Sequence, residues 1–122
     1  EPSPEVNFRA FLCQNMSYLY KEYVDTDKPN SKIKISLTYN KDTYHWATGN
    51  RKEKGYQIVC TPVEVSNGDG YNIESFTAFE GFYDIIYPVE RQSKKRLEHA
   101  ISLIAENKER YLNHFRNQGI KV

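Results

Sequence analysis

Apolar and polar positions alternate most cleanly at Ile33, Ile35, Leu37 and Tyr39, set against Lys32, Lys34, Ser36, Thr38 and Asn40. A period of two sends alternate side chains to opposite faces, so this stretch predicts a half-buried strand with one solvated face. Two further apolar-rich runs, residues 56–65 and 71–79, flank Ser66-Asn67-Gly68-Asp69-Gly70. Turn-forming residues between two β-rich runs predict a hairpin with a longer loop, around which the chain can be arranged. Pro62 interrupts the first run. It cannot donate to a ladder, so it predicts an edge position or a bulge.

Before the clean strand, Ser3-Pro4-Glu5 is a helix-start signal: a cap, a first-turn proline and an acid at the positive end of the dipole. Phe8, Phe11, Leu12, Leu19 and Tyr23 recur near helical spacing, with Asn15 the polar exception, and predict a helix over 4–23. Residues 25–31 form a loop around Lys28-Pro29-Asn30. Beyond Asn40, residues 43–48 predict a return strand and 49–55 a basic turn. Residues 81–90 fit helical and strand spacing alike. Pro88 and the β-branched and aromatic content favour a short fifth strand after a glycine bend. Ser93 then caps a long helix over 93–117, whose stripe is Leu97, Ala100, Ile101, Ile104, Tyr111, Leu112 and Phe115. Short links between strands imply antiparallel pairing. The expected fold is a single α+β domain: an antiparallel four- to five-stranded meander with both helices on one face.

The chain has 122 residues, with ten Tyr, six Phe and one Trp. That length suits one domain, and the aromatic load suits strands and half-buried surfaces. No run reaches the ~18 apolar residues of a membrane span, so no membrane partner is expected. No basic region followed by an apolar stretch marks a leader, although a start at Glu1 is compatible with one already removed. Cys13 and Cys60 follow no metal-ligand spacing and read as reduced, buried and apolar.

Charge is where the sequence departs from the ordinary. The net charge is +1, but its distribution is uneven. Residues 56–90 hold six acids and neither Lys nor Arg, whereas residues 32–55 are net +4 and residues 91–122 net +5. Such segregation speaks to partners rather than to fold. The acidic segment supplies a candidate partner-binding face of Glu64, Asp69, Glu74 and Glu80. The basic segments supply a candidate anion or partner site: Arg51, Lys52 and Lys54 at a turn, and Arg91, Lys94, Lys95 and Arg96 around a helix start. Cations there oppose the helix dipole at about 0.3–1 kcal/mol each. Nearby acids such as Asp84 and Glu90 offset that cost more simply than a bound anion does. Tyr44 and Trp46 precede the basic turn and are candidates for base stacking.

Catalytic constellations are not evident. His45, His99 and His114 lack the spacing of a helical metal site, and no cofactor is expected. No strand–turn–helix elbow frames a serine. Glu64 and Glu74, expected to face each other across the central hairpin, read as a solvated acidic face rather than an acid–base pair.

Gly55-Tyr56, Thr61-Pro62-Val63, Ser75-Phe76-Thr77-Ala78-Phe79 with Gly81, and Ser93-Lys94-Lys95 resemble small uncharacterised proteins of bacterial conjugative elements and phages. The resemblance spans about residues 32–115. It implies a bacterial cytoplasmic setting and a non-enzymatic accessory role in binding other macromolecules, and assigns no site residue. The expected function is therefore protein binding, with a mobile-element-encoded inhibitor as one form of it. The competing reading is nucleic-acid binding through regions 51–54 and 91–96.

Overall fold

A computed structural model describes residues 18–41, 54–67 and 72–122. Five strands and one helix follow in order: β1 (Tyr20–Asp25), β2 (Ser31–Asn40), β3 (Gly55–Asn67), β4 (Asn72–Phe76), β5 (Phe82–Pro88) and α1 (Lys94–Arg116). The strands form one antiparallel sheet, and β3 is its spine. β2 pairs with β3 from Ser31↔Glu64 to Asn40↔Gly55, and β1 pairs with the far side of β2. The expected α+β class and antiparallel sheet are present, as are the fifth strand and the long C-terminal helix.

The other edge of β3 explains more of the molecule. β4 covers Val63 to Asn67 and β5 covers Gly55 to Cys60. Both run in the same direction, so they act as one outer strand broken by residues 77–81. Opposite the break lie Thr61 and Pro62. The Val65 amide donates to Asn30 on the β2 side at 2.8 Å. Alternation along the strand therefore turns the Pro62 nitrogen and carbonyl towards the outer edge. Proline has no N–H to offer there, and the partner strand leaves the ladder at that point. Pro62 sits in the central strand, in unbroken register with Ile33, and so is neither at an edge nor at a bulge, the two positions expected for it. Its missing donor falls where the neighbour is interrupted, so the ladder to β2 is unharmed. Gly81 brings the chain back: a Cβ there would stand 2.5 Å from the Cys60 carbonyl oxygen, so only glycine allows this approach.

The core lies between one sheet face and α1. Ile33, Ile35 and Leu37 of β2 and Tyr56, Ile58 and Cys60 of β3 meet Ala100, Ile104, Tyr111, Leu112 and Phe115 of the helix. Burying each large aliphatic side chain stabilises the fold by about 1.5–3 kcal/mol relative to exposure. Ser93 caps the helix by accepting the Arg96 amide at 3.1 Å, and Gly119, with φ +97°, turns the chain after it so that Ile120 folds back under the core. Lys108 reaches across to Glu22 of β1 at 2.6 Å, tying the helix to the far edge of the sheet.

One expectation is overturned. The predicted first helix ran to residue 23, yet Tyr20–Asp25 is a strand with alternating burial. Tyr20 and Val24 pack towards the core, while Lys21, Tyr23 and Asp25 point away. Pairing with β2 satisfies this backbone, and that pairing outweighs the i, i+4 spacing of Leu19 and Tyr23. The rest of that predicted helix, Cys13 and the predicted return strand over 43–48 lie outside the described residues. No helix among the described residues is long and apolar enough to cross a membrane.

Candidate functional site

Three regions bear on function, and the first arises from the break in the outer strand. Phe76 ends β4 and Tyr83 belongs to β5, with Phe79 in the excursion between them. Phe76 is 87% exposed, Tyr83 46% and Phe79 43%. With Pro62 and Phe82 they surround a hollow of about 320 Å³. The excursion is anchored. The Glu80 amide donates to Gln118 Oε1 at 2.8 Å, and Gln118 Nε2 donates back to the Glu80 carbonyl at 2.7 Å. A side-chain amide thus replaces the strand partner that the loop gave up. His114 Nε2 lies 3.2 Å from the same carbonyl, with its ring edge-on to Phe82 and Phe115. This shelf of exposed rings was not picked out from the sequence. Phe76 and Phe79 read there as ordinary strand residues, because nothing local shows that the strand stops between them.

The second region is on the helix-free face. Glu74 of β4 accepts hydrogen bonds from the Tyr23 hydroxyl of β1 and from Lys34 Nζ of β2, the latter at 3.0 Å. Lys34 Nζ also stands 4.8 Å from the centre of the Tyr18 ring, a cation–π contact. Burial pushes the Glu74 carboxyl up, but the bonds from Tyr23 and Lys34 and the Lys34 charge outweigh it, so the acid lies below its ordinary value. Burial and the Glu74 carboxylate push the Tyr23 phenol up. Glu74, Lys34 and Tyr18, with Val59 and Val63, line a cleft of about 280 Å³. Each polar group is committed to another, so the cluster links three strands rather than presenting a free acid or base.

The third region is the basic end. Gly55 pairs with Pro88, which sets Lys54 beside residues 89–91. Tyr39, Lys41, Lys54, Glu90, Arg91 and Gln92 line one hollow of about 320 Å³. Buried Tyr56 fixes this corner. Its hydroxyl contacts the backbone of Ser93, and its ring packs edge-on to Tyr39 and stacked on Tyr87. The Tyr39 hydroxyl donates to the Val89 carbonyl at 2.8 Å. Lys54 and Arg91, far apart in sequence, thus share one end of the sheet. Lys94, Lys95 and Arg96 are exposed in the first helical turn, which has no acid of its own. Glu90 lies 3.9 Å from Lys54. Among the described residues no ion pair reaches Arg91, Lys94, Lys95 or Arg96. The expected offset by Asp84 and Glu90 therefore does not take the form of direct pairs.

The acidic face is not one face. Val65 pairs with Glu74 and Glu64 with Ser75, so Glu64 and Glu74 point to opposite sides of the sheet. The expected confrontation across the hairpin fails because the register places them one residue out of step. Glu80 is at the excursion. Asp69, Tyr44, Trp46, Arg51, Lys52 and His45 lie outside the described residues. His99 packs edge-on to Tyr87. Among the described residues, no three His, Cys, Asp or Glu side chains gather as a metal site. Burial pushes the Cys60 thiol up to about 12, so it is protonated and unreactive at neutral pH.

The chain matches no family model, no curated protein and no solved structure.

Proposed function

We propose that the chain is a non-enzymatic binding module whose partner is a protein, docked on the shelf formed by Phe76, Phe79 and Tyr83. The observation that carries this reading is Phe76, a large apolar side chain 87% exposed beside two other exposed rings. Exposed aromatic clusters on a fixed backbone are the kind of surface that supplies binding hot spots. A bacterial cytoplasm and a mobile-element origin, both implied by the sequence resemblance, belong to the same proposal. The test is affinity capture from a bacterial lysate with wild type and Phe76→Ser side by side, at matched folded stability. Wild type should retain a protein that the variant loses. Identical captures would refute the reading.

A second reading, nucleic-acid binding, is favoured by one observation: Lys41, Lys54 and Arg91 line a single hollow at the basic end. Phosphate contacts there would make affinity fall steeply with salt. A gel shift with single- and double-stranded oligonucleotides at low salt tests it. Lys54→Glu with Arg91→Glu should abolish the shift, and the absence of a shift at micromolar wild-type protein would eliminate the reading.

A further inference from the structure

We propose that β1 is a dimer interface: its free edge pairs, antiparallel and about a two-fold axis, with the same edge of a second copy of the chain. The inference is independent of the shelf and goes beyond it.

Backbone direction defines the edge. The Thr26 amide donates to the Ser31 carbonyl at 3.3 Å, and every pair from Tyr20↔Leu37 to Asp25↔Lys32 keeps that register. Alternation therefore turns the backbone N–H and C=O groups of Tyr20, Glu22 and Val24 towards β2, and those of Lys21, Tyr23 and Asp25 outwards. Among the described residues no strand pairs with that outward row. The row is closed at both ends. The Leu19 amide turns back to the Leu37 carbonyl at 2.8 Å, and the Asp27 amide donates to the Lys121 carbonyl, in the chain beyond α1, at 3.0 Å.

A two-fold axis leaves one register that uses all three outward residues. The axis passes at Tyr23. Tyr23 then faces its own counterpart, and Lys21 faces the counterpart of Asp25, twice over. These are the hydrogen-bonded pairs of an antiparallel ladder, with side chains on one face and about 5.5 Å between Cα atoms.

Charge supplies an independent check. The register follows from backbone groups alone, yet it sets a cation opposite an acid at both outer pairs. Opposite charges across a ladder stabilise it, and like charges oppose it. Lys21 is exposed, and Asp25, although it accepts from Lys32, is 82% exposed and has room for a second cation. The Tyr23 ring is 37% exposed, and its hydroxyl is already held by Glu74, so the ring is placed beforehand for its counterpart. Charged residues ordinarily blunt an edge against any strand that approaches. Here they complement one another across the axis, so they favour a copy over a strand of another pattern.

Five residues of edge bury less than the ~1,200 Å² of a standard interface, so the dimer should half-form at about 10–100 μM. The test is sedimentation velocity of the full chain across that range. The mass should rise from one chain to two and stop there, because a two-fold contact closes on itself. Lys21→Glu puts like charges opposite at both outer pairs, as does Asp25→Lys, and each variant should associate about tenfold more weakly. An equimolar mixture of the two variants should recover wild-type association, since opposite charges then meet at both pairs. Amide hydrogen exchange of the wild type needs no variant. Lys21, Tyr23 and Asp25 should exchange more slowly as concentration rises, while Glu22 and Val24, bonded to β2 throughout, should not change. A chain that stays single across the range would overturn the proposal. So would undiminished association in both variants, or a mixture that fails to recover. Loss of association in Phe76→Ser, with Lys21→Glu unaffected, would move the contact to the shelf and overturn it too. A chain that stays single yet captures a lysate protein in a Lys21-dependent way would give the edge to a foreign strand, with the same consequence.

Discussion

Tyr111 carries the sharpest stability prediction. It is 2% exposed, and its hydroxyl is buried without a hydrogen-bond partner. Its ring is well held, 5.9 Å from Phe82 and under the Arg110 guanidinium at 5.3 Å. A buried polar group left unsatisfied costs about 1–3 kcal/mol. Tyr111→Phe deletes that group and keeps the ring. The variant should therefore be more stable than wild type by about 1 kcal/mol, which for a chain of this size raises Tm by about 3–5 °C. Alkaline pH supplies a second check. Burial holds the phenol above its ordinary value of 10.0; Arg110 opposes the shift, and Cys60 and Asp84 reinforce it. Above about pH 10 the unfolded chain loses this proton while the folded chain keeps it, so wild-type stability falls as pH rises. The phenylalanine variant lacks that loss. Its advantage, read from urea unfolding followed by circular dichroism, should widen between pH 7 and about pH 10.5. A variant less stable than wild type at pH 7 would refute the reasoning, because it would show that the hydroxyl has a bonding partner in the folded state.

Other outcomes follow from the same structure. In a Cys13→Ser background, Cys60 should react with a thiol reagent only at the rate of unfolding, and its contribution to stability should decline as pH rises from 9.0 towards about 12; fast labelling of the native chain would count against this. Gly81→Ala should cost about 1–3 kcal/mol, because the added Cβ meets backbone rather than a yielding side chain; an unchanged urea midpoint would show that the excursion relaxes freely. Glu74→Gln should cost less than about 1 kcal/mol at pH 7, since the pair with Lys34 is partly exposed. Because the folded acid lies below its ordinary value of 4.5, that cost should shrink as pH falls through the folded pKa; a cost that stays constant into acid would remove the charge from the explanation.

Much of the sheet was legible because its signal is local. Ile33, Ile35 and Leu37 announce a strand by alternation alone, and Ser93 announces a helix by capping chemistry. What was illegible depends on pairing between distant residues. The reading of Tyr20–Asp25 as helix came from Leu19 and Tyr23, which fit helical spacing. The competing alternation of Tyr20, Glu22 and Val24 gains force only once β2 lies alongside. Pro62 was recognisable as an obstacle to a ladder. Whether the obstacle sat at an edge or opposite a gap depended on β4 stopping at Phe76 and β5 resuming at Phe82. The convergence of Lys54 with Arg91 likewise follows from the Gly55↔Pro88 pair, which no spacing rule foretells. The candidate acidic face failed for the same reason: a shift of one residue in register is invisible in sequence and reverses a side chain's direction.

The interrupted outer strand also bears on self-association in a chain that displays exposed aromatic rings. An exposed sheet edge is a template for another copy's backbone, and a long flat one invites stacking into fibrils. Here the template is cut short. β4 offers five residues before the excursion diverts the chain. β5 then offers seven, distorted by a bulge at Ile86, where Tyr56 pairs with Tyr87 but Gln57 with Ile85, and ending in Pro88. No segment of that edge gives an incoming strand a regular run. The proline that opens the hollow thus also sets a limit on self-assembly. Closing the gap, by shortening 77–81 until β4 and β5 join, should trade a recognition surface for an uninterrupted edge prone to aggregation.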